Sequence, residues 1–449
     1  MIRFVNPKNA VTFFGNIVAV LILLEVLFAL DASAKVYIDI NSPGSRKLPI
    51  AIPDMIAVEG GDRLGQSVAT MREVLVQDLT YSGFFDILDK KAYIEDSSLM
   101  RLTESEVNFK DWRVIGADVL IKGGVVLRGD DLIVDIRLFD VITEKTILGQ
   151  RYKGKKDDIR RIMHRFANEV VELLTGEKGI FETKLLFVSE STGNKEIYLS
   201  DYDGYNVKQI TQNKSINVSP IWSPDGNSII YTSYKEGQPY LYMFELYTGK
   251  ESRISSHNGI NIGARWSPSG KEIALTLSKD GNPELYILNI ETKEFRRLTN
   301  NFGIDVSPSW SPDGKRIAFV SDIAGNPHIY MVNLELMSFT RLTYDGRYNA
   351  SPAWSPRGDK IAFAKLGENV FNIWVMNTDG TEQTQLTYDL GNCENPTWSP
   401  NGRYVAFAST KERNSAIYII RADGGDVPKK VTRGDRVTQK NPSWSPFQK

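Results

Sequence analysis

Trp222-Ser223-Pro224-Asp225-Gly226 is a phrase that this chain repeats. It returns as Trp266-Ser267-Pro268-Ser269-Gly270, Trp310-Ser311-Pro312-Asp313-Gly314, Trp354-Ser355-Pro356-Arg357-Gly358 and Trp398-Ser399-Pro400-Asn401-Gly402, and in part as Trp444-Ser445-Pro446. The tryptophans are 44, 44, 44, 44 and 46 residues apart. A fixed period of this size marks a repeat architecture. Within each phrase Pro presets φ for the second position of a tight turn, and Ser at the first and Gly at the fourth suit type I.

A short apolar strand follows each turn: Ile229–Ser233, Ile273–Leu277, Ile317–Ser321, Ile361–Ala364, Val405–Ser409. A second follows, as in Leu241–Phe244 and Ile417–Ile420, and a third ends in Leu298-Thr299, Leu342-Thr343 or Leu386-Thr387. With the strand that carries the tryptophan, each unit holds four, the pattern of a β-propeller blade. The first apolar strand, Leu185–Ser189, lacks a tryptophan strand before it, and the last tryptophan strand, Asn441–Ser445, lacks a blade after it. Six blades are therefore expected, the first completed by the C-terminal strand so that no radial edge is left open.

The remaining sequence reads as two further parts. Residues 1–34 look like an export signal: Arg3 and Lys8 lead, an apolar run spans Ile17–Leu30, and Ala32-Ser33-Ala34 offers a small-x-small cleavage site between Ala34 and Lys35. The alternative is a retained anchor, although Glu25 interrupts the run and its length is short for a span. No Cys follows the run, which argues against a lipid-anchored precursor. Residues 35–178 are expected to form an α/β domain, with a leading strand in 35–47 and the propeller over 179–449. Val36-Tyr37-Ile38-Asp39-Ile40 alternates as a strand, and Pro43-Gly44 behind it reads as a hinge. Leu64, Val68, Met71, Leu75 and Leu79 fall at helical spacing before Gly83. Strands are expected at Phe85–Leu88, Val119–Leu127, Leu132–Asp140 and Thr146–Tyr152. A short helical piece is expected at Asp111–Ile115. A last helix, capped by Asp157 or Asp158, would bury Ile159, Ile162, Phe166, Val170 and Leu173 and stop at Gly176. A mixed sheet with helices on one face is the expected fold class for this part.

Composition excludes several functions. The formal charge is −1 with 24% charged residues, so nothing electrostatic favours nucleic acid. The lone Cys393 cannot form an intrachain disulfide. There is no Gly-x-Ser-x-Gly nucleophile motif. Three histidines, His164, His257 and His328, are too dispersed for a histidine-rich metal site. No cofactor is expected. Asp225 and Asp313 are best read as turn residues, and the repeated tryptophans as core between blades.

An export segment, an α/β domain and six such repeats together resemble the TolB family, the periplasmic component of the Tol-Pal envelope system of Gram-negative bacteria. Asp201-Tyr202-Asp203-Gly204-Tyr205-Asn206, the Val36–Ile40 strand and His257-Asn258-Gly259 add to the resemblance, which covers essentially the whole chain after residue 34. The export segment, long and slightly irregular, departs from the family. The resemblance implies a non-enzymatic, monomeric periplasmic binding protein. Its partners would be the lipoprotein Pal, at the open end of the propeller channel, and TolA of the inner membrane, through the N-terminal domain and the segment Val36–Ile40. Other outer-membrane or peptidoglycan-associated proteins are further candidates. The same resemblance implies a role in outer-membrane integrity and in constriction at cell division, and a Pal-binding surface that colicins can exploit.

The loops that approach each tryptophan strand depart from the repeat, and residues freed from blade packing are available to a partner. On this ground Asn217, His257, Asn258, Asp305, Val306, Tyr348, Asn349 and Glu394 are the candidate Pal contacts. The rival reading is an exported glycan- or peptide-processing enzyme using the channel as its active site, with Asp305, Glu394 and His257 as its titratable groups.

Overall fold

The structure, a computed structural model, describes residues 47–59, 61–95, 101–425, 427–432 and 437–448, without the side chains of 61–66. The export segment, the Ala34/Lys35 cleavage point and the leading strand Val36–Ile40 lie outside the described residues.

The N-terminal part is built on one mixed sheet of β1 (Leu48–Ala51), β2 (Ile56–Glu59), β3 (Phe85–Ile87), β4 (Val119–Arg128), β5 (Asp131–Asp140) and β6 (Lys145–Lys155). Its order is β3-β1-β4-β5-β6, with β2 pairing β4. β1 runs parallel to β3 and β4, while β4, β5 and β6 form an antiparallel meander. Alternation of Leu132, Val134, Ile136 and Leu138, all buried, aims one face of β5 at the core.

Two long helices, α1 (Gly61–Ser82) and α3 (Ile159–Thr175), cover that face with Met71, Leu75 and Leu79 and with Ile162, Phe166 and Val170. Both end on a left-handed glycine, Gly83 at φ 77° and Gly176 at φ 72°. At the end of α3 the buried residue is Leu174, and Leu173, expected on the inner face, is exposed. Asp158 accepts the Lys155 N–H at 2.8 Å, closing the turn before α3, and makes no side-chain cap to the helix itself. A short helix, α2 (Phe109–Val114), places Phe109 and Trp112 against Ala51, Leu120 and Phe139, in a second, smaller core.

Six four-stranded antiparallel sheets follow, each led by its tryptophan strand. Blade 1 is completed by Gln439–Trp444, which pairs with Lys184–Ser189, so that Trp444 lies opposite Leu185. Blade 2 runs from Asn217 to Ser255, blade 3 from Asn261 to Arg297, blade 4 from Asp305 to Arg341, blade 5 from Asn349 to Gln385 and blade 6 from Cys393 to Lys430.

The repeated residues have local duties. In the first turn the Gly226 N–H donates to the Ser223 carbonyl at 3.0 Å, and Asp225 accepts from the Asn227 N–H at 3.1 Å. Ser223 Oγ accepts the Ser228 N–H at 3.0 Å, and the same serine bond recurs in the turns of Ser267, Ser311 and Ser399. The Leu-Thr signature is also mechanical. Thr211, Thr299, Thr343, Thr387 and Thr432 each accept, at 2.8–2.9 Å, the N–H of an apolar residue on the neighbouring strand. Several tryptophans tie their blade to the one before: Trp310 Nε1 donates to Arg265 O at 3.1 Å and Trp398 Nε1 to Ala353 O at 2.8 Å.

The N-terminal part docks on the propeller face that carries the Ser-Pro turns. Arg357, in the turn of blade 5, donates to both oxygens of Glu177 at 2.7 Å. Asn401, in the turn of blade 6, donates to the Lys178 carbonyl at 3.1 Å, and Tyr404 donates to Tyr81 O at 3.1 Å. Arg403 stacks on the Phe84 ring, 4.3 Å from its centroid. The centre of the seam is polar: Asp78 of α1, His164 of α3, and Tyr202 and Asp203 of blade 1 are all buried. Among the described residues no helix is long and apolar enough to cross a membrane.

Candidate functional site

The strand order sends the approach loops, and the loops between the first and second apolar strands, to the end of the propeller opposite the Ser-Pro turns. The inter-domain bonds described above fall on the turn side, so the approach face points away from them. The expected contact residues on it divide sharply.

Asn217, Asp305 and Asn349 are fully buried. They occupy one repeated position, the first of each tryptophan strand, shared with Asn261, Cys393 and Gln439. Their side chains lock their own loops. Asn217 Nδ2 donates to Asn213 Oδ1 at 2.8 Å and to Glu196 Oε2 at 3.0 Å. Asn349 Nδ2 donates to the Asp345 carbonyl at 3.0 Å. Asn301 Nδ2 donates to Asp305 Oδ2 at 2.8 Å, and burial raises the Asp305 carboxyl above its ordinary range against hydrogen bonds that lower it. These three side chains present no surface to a partner, and the expectation of direct contact is corrected to one of loop shaping.

The others reach the surface. Asn258 is exposed, and His257 beside it is partly buried with its ring edge-on to Phe295 at 4.6 Å. Burial lowers the His257 imidazole, with Lys279 acting in the same direction. Tyr348 stands edge-on to Phe371 at 5.6 Å. Tyr348, Phe371 and Glu394 line one cleft of ≈ 420 Å³ between blades 5 and 6, together with Leu366. Val306 is packed into the core shared by blades 4 and 5.

The approach loops also carry three large aromatics not foreseen: Phe302, Tyr344 and Tyr388, exposed to 84%, 72% and 63%. They sit in the loops leading into blades 4, 5 and 6, with exposed Ile304 and Tyr348 among them. Tyr344 and Tyr388 had a readable signal, since both directly follow the Leu-Thr that ends a blade. Apolar side chains grouped in successive loops mark an interaction surface more than scattered ones do. The titratable trio of the enzyme reading is not assembled: Asp305 is buried in its loop, His257 packs on blade 3, and Glu394 opens on the cleft between blades 5 and 6. Among the described residues no group of three or more His, Cys, Asp or Glu is placed to hold a metal ion.

The sequence matches the TolB beta propeller domain over residues 171–448 and the TolB amino-terminal domain over residues 36–147. The chain belongs to the TolB family. A Tol-Pal system protein TolB of Desulfosudis oleivorans is 40% identical over 222 residues, 49% of this chain and 51% of that one. One of Syntrophotalea carbinolica is 43% identical over 209 residues, 46% of this chain and 48% of that one. The chain spans about half the length of the curated relatives it matches. The crystal structure of TolB from Acinetobacter baumannii superposes with a TM-score of 0.77 at 26% identity, over 92% of this chain and all of that one. The TolB architecture of an α/β part followed by a six-bladed propeller is thus common to both.

Proposed function

We propose that this TolB-family chain is a non-enzymatic, periplasmic binding component of the Tol-Pal system. It would hold the lipoprotein Pal on its approach face and TolA through the N-terminal part and the segment Val36–Ile40, bridging the outer-membrane and inner-membrane sides of the envelope. Envelope constriction and outer-membrane integrity would follow from that bridge.

The observation that carries the reading is the asymmetry of the propeller's two ends. One end is occupied by the N-terminal part through a buried polar seam. The other presents Phe302, Tyr344, Tyr348 and Tyr388 on loops tied from within, by Asn301 to Asp305 before blade 4 and by Asn349 to the Asp345 carbonyl before blade 5. Rigid loops bearing exposed aromatics bind a protein with little ordering cost. The seam also gives the N-terminal part and the propeller a shared set of buried charges, through which binding at one could be felt at the other. Calorimetric titration with the soluble domain of Pal tests the reading. A saturable 1:1 complex is expected, and its absence at high concentration would remove the basis of the proposal.

A further inference from the structure

The propeller channel encloses ≈ 580 Å³, and its walls are mostly proline, tryptophan and small hydroxyl residues. Arg265 is the only charged side chain among the described residues that line it. Arg265 occupies the fifth position of the blade 3 tryptophan strand, where the other blades have Ile221, Ser309, Ala353, Thr397 and Ser443. The blade departs from the repeat one residue earlier too, with Ala264 in place of the proline found in the other five. Repeats are free to differ where they do not support their neighbours, and here the difference is a cation turned into a cavity.

That cation has no counter-charge. No carboxylate among the described residues forms an ion pair with Arg265, whose Nη1 donates to the adjacent Ala264 carbonyl at 2.9 Å. The side chain is only partly buried, and that burial pulls its guanidinium down toward about 10. A partly desolvated charge without a partner carries a cost, and a molecule that supplies the partner recovers it. Hydroxyls of Ser309 and Thr397 also line the channel. Each already accepts a backbone N–H, from Trp354 at 2.9 Å and Trp444 at 3.4 Å, which leaves its own proton to donate.

We propose that the propeller channel is a carboxylate-binding site centred on Arg265. The single positive charge matches a monoanion, whereas a phosphate dianion would leave one charge unbalanced beside the only charged side chain of the lining among the described residues. The planar guanidinium fork fits two carboxylate oxygens, and proline and tryptophan walls suit an organic body behind it. The carboxylate could come from a small organic acid or from the free C-terminus of a peptide, and the two share this chemistry. This inference stands apart from Pal binding on the approach loops.

The test uses the full chain and reads its Tm at constant ionic strength against butyrate, inorganic phosphate, and a short apolar peptide with a free or an amidated C-terminus. Arg265→Ile puts into blade 3 the residue that blade 2 carries at the same position, so it is compatible with the fold. Without ligand, Arg265→Ile is expected to melt above the unmodified chain, because an uncompensated charge is gone. Butyrate or the free-acid peptide should raise the Tm of the unmodified chain saturably, phosphate should do no more than chloride, and Arg265→Ile should respond to none of them. Response to the peptide acid alone would assign the source to a peptide terminus; response to butyrate at comparable concentration would assign it to small acids. Equal responses of the two proteins to butyrate and to the free-acid peptide, or a response to phosphate that exceeds both carboxylates, would overturn the proposal. So would the lack of any saturable response.

Discussion

His164 Nδ1 lies 2.7 Å from Asp78 Oδ2, in a pocket sealed between the two long helices and the first blade. Tyr202 donates to the other Asp78 oxygen, and Asp203 stands 3.6 Å from His164 Nε2 while also pairing with Arg160. Lys429 comes from the last blade, and its ammonium is lowered by burial and raised by Asp78 and Asp203. The joint between the two parts is therefore ionic at its centre, although its surroundings are apolar.

That joint should respond to pH. Burial alone would lower the His164 imidazole, but the charge and hydrogen bond of Asp78, with Asp203 behind, outweigh it and leave the imidazole raised. Burial raises Asp78 as well, against the pull of His164 and Tyr202. A raised histidine stabilises fully below its unfolded value of about 6.5, and that contribution is lost as pH climbs through the higher folded value. The raised carboxyl acts with the same sign. Urea midpoints of the unmodified chain should fall between pH 6 and pH 9 more than those of His164→Gln. Parallel pH profiles for the two would contradict this account of the seam.

Ring closure makes the second prediction. Trp444 is buried, its Nε1 donates to Thr183 Oγ1 at 2.8 Å, and its strand completes blade 1. Trp444→Ala should cost about 3–5 kcal/mol, the range for truncating a large core aromatic. Thr183→Ala, which removes the hydrogen-bond partner, should cost about 1 kcal/mol. Chemical denaturation of both variants checks the ranking, and an unchanged midpoint for Trp444→Ala would be incompatible with a ring held by that strand.

Much of this was legible in the residues. The 44-residue spacing, the turn chemistry and the unpaired strands at the two ends of the repeat region lead to six blades and the C-terminal closure. The approach loops were harder. Asn217, Asp305 and Asn349 look like variable polar loop residues, yet they recur at the same place in each unit, as the period itself could have warned. A polar residue that returns every 44 positions is serving the repeat. The docking face was not legible, since Asp78, His164 and Asp203 lie far apart in sequence and no periodicity links them.

A third prediction concerns the bulge in every tryptophan strand. Its third residue is left-handed in all six blades: Ser219, Gly263, Ser307, Ser351, Asn395 and Asn441, with φ between 50° and 67°. Gly263→Ala should destabilise by about 1 kcal/mol, because the added Cβ makes this φ unfavourable although its nearest neighbours are 3.7 Å away. Ser351→Gly should be close to neutral, as relief of backbone strain is offset by a more flexible unfolded chain. Thermal denaturation separates the two, and a loss at Ser351→Gly equal to that at Gly263→Ala would argue against backbone strain as the cause.

The central claim is that Pal is held on the approach face. It is tested most directly by calorimetric affinity for soluble Pal of Tyr344→Ser/Tyr388→Ser, compared with Tyr247→Ser. Tyr247 is as exposed as the other two, at 81%, but lies between the second and third apolar strands of blade 2 on the turn side. The double variant should weaken binding more than about tenfold, or 1.4 kcal/mol, with Tm unchanged, and Tyr247→Ser should bind as the unmodified chain does. Full affinity in the double variant, with loss in Tyr247→Ser, would place the partner on the opposite end of the propeller.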